Sequence, residues 1–179
     1  NQALLMGEMS KLSSLDLDIL SINKSPTNLK SLLTEIHDDF QLAHPNYIFQ
    51  LKLPKKYPLI ISVDEKILRQ AINNLLSNAI KYSGSYTPII ITAEKSEKCC
   101  YISVSDFGIG IHNTKLSKIF RPYFRCNETK DTRGSGLGLA FVNQAMKYHN
   151  GLVHVSSRFG FGSTFTMELP FESEGSLST

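Results

Sequence analysis

Asn74 and Asn78 lie four residues apart inside the strongest helical pattern of the chain, which Asp64 can cap and which reaches Tyr82. Residues at this spacing are neighbours on one helix face. On a wheel turning about 100° per residue, Leu68, Ile72, Leu75, Leu76 and Ala79 form an apolar arc, and Arg69, Asn73 and Ser77 fall on the opposite, solvent side. Gln70, Asn74, Asn78 and Lys81 make a third strip, bordering the apolar arc through Ala71. A surface helix needs one buried and one wet face, and Asn is a poor choice for a helix interior, so a stacked pair asks for a reason. A neutral amide at the edge of a core can ligate a hard cation through its oxygen or hydrogen-bond a phosphate through its nitrogen. The bland alternative, a solvated surface residue, is accepted for Asn73 and stays open for Asn74 and Asn78.

A second candidate is Asp106. Side chains alternate along Tyr101 to Asp106, which puts Asp106 on the inward face with Ile102 and Val104. A buried carboxylate is costly unless donors reach it, and an acceptor-only group at a pocket floor suits an exocyclic amine such as that of adenine. Gly108 and Gly110 follow in Phe107-Gly108-Ile109-Gly110-Ile111 and allow a ligand close to the backbone. An ordinary loop-starting Asp is the competing reading. Asp106-Phe107-Gly108 also spells a motif of Ser/Thr/Tyr kinases, but the chain has neither H-R-D nor V-A-I-K and is too short for that fold.

The third candidate, Arg133-Gly134-Ser135-Gly136-Leu137-Gly138-Leu139, runs into a helix expected over Leu137–Tyr148. Clustered glycines and a helix start present N–H donors and a partial positive charge to an anion. Arg125, Lys130 and Arg133 can add full charge. The pattern is neither a dinucleotide fingerprint nor a P-loop, because no closely preceding strand and no G-K-[ST] accompany it.

These residues need elements to hold them. The pattern predicts a helix over about Asn28 to Leu42, short strands within Tyr47–Val63 broken by Pro54 and Pro58, the Asp64–Tyr82 helix, a hairpin of Ile89–Glu94 with Cys100–Asp106, a short helical piece near Leu116–Phe120, and a closing hairpin of Gly151–Ser157 with Ser163–Leu169. Ser25-Pro26-Thr27-Asn28 reads as punctuation. The expectation is an α+β, two-layer sandwich with a mixed, largely antiparallel sheet and an N-terminal helical extension. The 179 residues, 41% of them hydrophobic, suit one domain plus that extension. A net charge of +3 without a long basic run gives no nucleic-acid surface. No apolar run approaches the roughly 20 residues that span a bilayer. Cys99, Cys100 and Cys126 form no C-x-x-C, which points to a reducing, cytoplasmic compartment.

Taken together, in order and spacing, the motifs resemble the GHKL ATP-binding fold, and its histidine-kinase branch fits best. Asn74 to Tyr82 resembles the N box, Asp106 to Ile111 the first glycine box, Ile119 to Arg125 the F box, and Gly134 to Leu139 the second glycine box. Ser163-Thr164-Phe165 resembles the closing strand, so that the likeness covers about Asn28 to Phe171. It implies ATP and magnesium as cofactors. Asn78, with Asn74, would hold the metal. Lys81, Arg125 and Arg133 would meet phosphate, as would the turn of Gly134, Ser135, Gly136, Leu137, Gly138 and Leu139. Asp106 would read the adenine amino group, Gly108, Gly110 and Ile111 would line the base, Tyr82 would sit beside the nucleotide, and Thr164 would belong to the same cofactor-binding set. A lid from about Arg121 to Ser135 would be anchored by Phe120 and Phe124. In gyrase-like members a Glu one turn before the metal-binding Asn activates water; Asn74 stands there and cannot act as a base, which favours transfer over hydrolysis.

The chain departs from the branch in lacking an H-[ED]-x-x-x-P acceptor motif: His37-Asp38 has no Pro four residues on. His37 reads as a surface residue, and His44, His112, His149 and His154 as loop, helix-end or strand residues. The expectation is a fragment: residues 1–24 end a dimerisation and phosphoacceptor region, 25–171 form the ATP-binding catalytic domain, and 172–179 are a polar tail. The acceptor histidine would lie upstream, on a domain of the same, homodimeric parent, with a response-regulator receiver downstream, and attachment of the parent to the inner membrane face through other regions stays open. A non-catalytic nucleotide-binding module of the same fold is the alternative function.

Overall fold

The structure, a computed structural model, describes residues 22–126 and 135–171. The expected N-terminal helix, the polar tail, and Lys130, Arg133 and Gly134 lie outside the described residues. Ser25–Asn28 is a strand, β1, and not mere punctuation; it pairs antiparallel with β3 (Ile60–Val63). Pro26 is tolerated because the two-stranded ribbon offers an edge position that needs no N–H. The Asn28 side chain accepts from Lys30 N at 3.1 Å and starts α1 (Leu29–Ala43), which buries Leu29, Leu32, Leu33 and Ile36 as its period predicts. After β2 (Ile48–Lys52) and β3, the Asp64 carboxylate accepts from Ile67 N at 3.1 Å and caps α2 (Glu65–Tyr82).

β4 (Pro88–Lys95) and β5 (Cys99–Asp106) form the expected hairpin. The short helix α3 covers Asn113–Leu116, earlier than the Leu116–Phe120 expected from sequence; a single turn is too brief for a 3.6-residue period to show. Helix α4 (Gly138–Tyr148) and the hairpin of β6 (Leu152–Arg158) with β7 (Gly162–Pro170) complete the fold. The main sheet runs β2-β4-β5-β7-β6, with β2 parallel to β4 and the other pairs antiparallel.

One face of this sheet carries Ile89, Ile91, Ala93, Cys100, Ile102, Val104, Met167 and Leu169, all nearly inaccessible. Helix α1 packs beside β2, α2 on β4 and β5, and α4 on β6 and β7, with α2 and α4 side by side. Their apolar arcs and the sheet make a single core. The other face is polar, and its hydroxyls pair across strands, Ser103 with Thr166 at 2.8 Å and Ser105 with Thr164 at 2.9 Å. This is the two-layer α/β sandwich with a mixed sheet that the patterning predicts.

Candidate functional site

Helix α2 enters the core through Leu75, Leu76 and Ala79, and this fixes the direction of the strip beside them. Asn74, Asn78, Lys81 and Tyr82 all line one cleft, a cavity of about 270 Å³, which also receives Asp106, Gly110, Ile111, Phe124, Arg125, Ser135, Gly136, Gly138 and Leu139. Three segments far apart in sequence therefore meet. The closest measure of their convergence is at Gly138, where a Cβ would fall 3.7 Å from the side-chain carboxamide carbon of Asn74. Gln70 Nε2 donates to Asn74 Oδ1 at 3.3 Å, which orients that amide along the strip. Ser77, placed on the solvent side by the helical wheel, is exposed but also lines the cleft; the wheel cannot know that a cleft opens at the edge of the wet face.

Asp106 is 8% exposed at the inward end of β5. Burial raises its pKa above the usual carboxylate value, and the backbone N–H groups of Gly108 and Ser163 oppose that rise. Gly108 N donates to Asp106 Oδ1 at 2.9 Å. Gly108 does not line the cleft; it lies against the end of α2, where a Cβ would come within 2.1 Å of the Tyr82 carbonyl oxygen. Ile109 N donates to that same oxygen at 3.2 Å. The first glycine pair thus binds the Asp106 turn to the helix that carries Asn74 and Asn78. Gly110 has φ +66° and backs onto the Arg158 carbonyl, so the loop fits closely on β6.

Helix α4 begins at the cleft. Its N-cap residue, Leu137, has no side chain that can cap, which leaves first-turn N–H groups for an anion among the described residues. Gly136 has φ +76°, and its carbonyl accepts from Tyr123 N at 3.1 Å, tying the turn to the segment that carries Phe124 and Arg125. Besides Gly108, three sequence candidates stand differently from the expectation. Leu137 is buried at 4% and does not line the cleft. Phe120 lies behind the wall, edge-on to Phe165 at 6.4 Å, and it is Phe165 that lines the cleft. Thr164 points to the opposite face of the sheet, bonded to Ser105, and its neighbour Ser163 faces the cleft. The strand period decides this, because a shift of one residue exchanges faces.

Sequence reasoning missed Ser163 and a pair at the rim, His112 stacked on Phe159 with centroids 3.8 Å apart. No local pattern joins residues brought together by a hairpin and a loop; the alternation of β7 could have supplied Ser163. His37 is less exposed than expected, since it is held by Asp38 at 2.8 Å and the Phe49 carbonyl at 3.3 Å. The three cysteines are free thiols. Among the described residues no helix is long and apolar enough to cross a membrane.

As a metal site the donor set is selective. Among the described residues no cluster of His, Cys, Asp or Glu could hold an ion, which disfavours zinc-like chemistry. Amide oxygens beside a cleft fit magnesium, which takes few protein ligands and fills its sphere with water and phosphate oxygens.

Comparison with known proteins agrees with this geometry. Residues 63–173 match the family model of histidine kinase-, DNA gyrase B- and HSP90-like ATPases. The chain is 30% identical over 175 residues to the sensor histidine kinase WalK of Bacillus subtilis, covering 95% of this chain and 28% of WalK. It is 43% identical over 110 residues to the sensor histidine kinase ZraS of Escherichia coli, covering 62% of this chain and 23% of ZraS. The chain thus spans under a third of either relative. Among solved structures, the catalytic domain of histidine kinase ThkA matches with TM-score 0.73 and 27% identity, covering 83% of this chain and 97% of that one. Full-length ShkA in complex with AMPPNP matches with TM-score 0.82 and 25% identity over 93% of this chain and 36% of ShkA. The chain belongs to the family of histidine kinase-, DNA gyrase B- and HSP90-like ATPases.

Proposed function

We propose that this chain is the ATP-binding catalytic domain of a sensor histidine kinase, which passes the γ-phosphoryl group of ATP to a histidine on a domain outside the described residues. One observation carries the reading: the α2 amides, the buried Asp106 and the uncapped start of α4 face a single cleft. Asp106 accepts a hydrogen bond from the 6-amino group of adenine, with Gly110 and Ile111 along the base and Tyr82 beside the nucleotide. The α4 start, with Ser135, Gly136 and Leu139, faces the phosphates, and Lys81 and Arg125 add charge to them; Arg133 and Gly134 complete that set. Asn78, with Asn74, would hold magnesium, which when bound offsets phosphate charge.

Such a site has little covalent work to do: phosphoryl transfer is driven by alignment and charge stabilisation. Asp106 is the single carboxylate among the described lining residues, and it already accepts from the Gly108 amide. With Asn74 one turn before Asn78, the α2 strip supplies no carboxylate base for water, and the phosphoryl group is left for a positioned imidazole. The partner is the phosphoacceptor-histidine domain of a homodimeric parent, and a response-regulator receiver takes the phosphoryl group onward. Free thiols at Cys99, Cys100 and Cys126 support a cytoplasmic setting for the domain.

The test mixes the chain with a separately produced acceptor-histidine domain, γ-labelled ATP and magnesium. Label on the acceptor that is lost in acid and kept in base is expected. Bound nucleotide with no labelled histidine removes the kinase reading.

A further inference from the structure

Ser157 lies on the inward register of β6, behind the cleft lining. Its hydroxyl meets three groups. Ile111 N donates to Ser157 Oγ at 2.8 Å. Ser157 Oγ donates to the Gly162 carbonyl oxygen at 2.8 Å. Ser163 Oγ lies 3.0 Å away. A serine hydroxyl has one hydrogen, and a carbonyl oxygen can only accept. The Ser157 hydrogen is therefore committed to Gly162, and the bond between the two serines must run from Ser163 to Ser157.

The consequence appears at the cleft floor. Ser163 lines the cleft with its proton turned away, so it shows only lone pairs inward. Asp106 is its cross-strand partner, and the Asp106 carboxylate also accepts, from Gly108 N. Two adjoining side chains thus both ask for donors.

We propose that Ser157 is a positioning residue for base selection: by holding Ser163 as an acceptor, it makes the floor choose a purine with a free 6-amino group over a 6-oxo purine. The inference rests on the nucleotide reading above. A 6-amino group brings two N–H donors to two acceptors. A 6-oxo group sets an acceptor against acceptors and leaves buried polar atoms unpaired, the kind of mismatch that discriminates strongly. Removing the Ser157 hydroxyl frees Ser163 to rotate and donate, so the floor loses part of its preference while Asp106 stays in place.

The experiment titrates the whole chain with ATP and with inosine triphosphate, magnesium present, by calorimetry. Wild type prefers ATP. Ser157→Ala narrows the ATP-over-inosine ratio roughly three- to tenfold, and Ser157→Thr, which keeps the hydroxyl on a strand that favours β-branching, restores it. Equal weakening of both nucleotides with an unchanged ratio makes Ser157 a purely structural residue and overturns the proposal. If circular dichroism shows Ser157→Ala unfolded, Ser163→Ala decides, since deleting the acceptor must narrow the ratio by itself. Wild type binding both nucleotides equally sinks the relay alone; wild type binding neither removes the nucleotide reading and the proposal with it.

Discussion

His149 closes α4 and holds the start of α2, and that link should fail in acid. The imidazole is 4% exposed. Its Nδ1–H donates to the Ala145 carbonyl at 2.7 Å, and its Nε2 accepts from Asp64 N at 2.9 Å. Only the neutral ring with its proton on Nδ1 can do both. Burial lowers the pKa, with Lys24 adding to the fall; the Ala145 carbonyl and Asp64 work against it. Near pH 7.5 neither the folded nor the unfolded histidine is charged, and the link is intact. As pH falls through the ordinary value of about 6.5, the unfolded chain takes a proton that the folded chain refuses, so stability is lost toward acid. The loss from this group between pH 7.5 and 5.5 is at most about 1.4 kcal/mol, the limit in which the folded ring takes no proton. Urea unfolding of wild type and His149→Leu at both pH values measures it. The variant is less stable throughout, because Asp64 N is left buried and unpaired, but its pH slope should be flatter by that amount. Identical slopes, or an NMR titration with His149 protonating at about 6.5 while the Asp64 amide stays protected from exchange, would refute the reasoning.

Asp106→Asn should abolish nucleotide binding measured by calorimetry yet leave the melting temperature unchanged or higher, because burial already disfavours the charged form of Asp106. Asn78→Ala should weaken nucleotide affinity roughly ten- to hundredfold in magnesium and much less in its absence, with titrations at both conditions as the check. Gly162→Ala forces a side chain into φ +104°, with its Cβ 2.1 Å from the Asp106 carbonyl oxygen; chemical denaturation should show a loss of at least about 2 kcal/mol, and affinity should fall with it.

Much of the fold was legible because its elements carry their own periods. The α2 arc, the β5 alternation that turned Asp106 inward, and the Asp64 cap are local signals, and the structure agrees with each. The failures share a cause. β1 exists only because β3 accepts it as a partner, and no feature of Ser-Pro-Thr-Asn announces a partner 32 to 38 residues away. Thr164 was taken where Ser163 faces the cleft, because a motif gives order along the chain while a strand gives sides. His149 looked like a helix end, which it is, but its role comes from Asp64, which only the packing of α4 beside α2 supplies.

The same packing explains how a costly group is kept. Asp106 is a carboxylate at the end of a row that is otherwise Cys100, Ile102 and Val104, each at most 2% exposed. A fold selected only for burial would put another aliphatic side chain there. Instead the surroundings are arranged to make the carboxylate tolerable without satisfying it fully. Gly108 brings a backbone N–H to the carboxylate, and the chain can close around it because glycines take the tight positions: Gly108 itself against Tyr82, and Gly162 against the Asp106 carbonyl. Backbone donors cannot rotate away, and the Ser163 hydroxyl is held by Ser157. The remaining lone pairs of Asp106 have the cleft as their outlet. On the nucleotide reading proposed above, a ligand donor entering the cleft would add a hydrogen bond to a carboxylate that already holds the Gly108 amide.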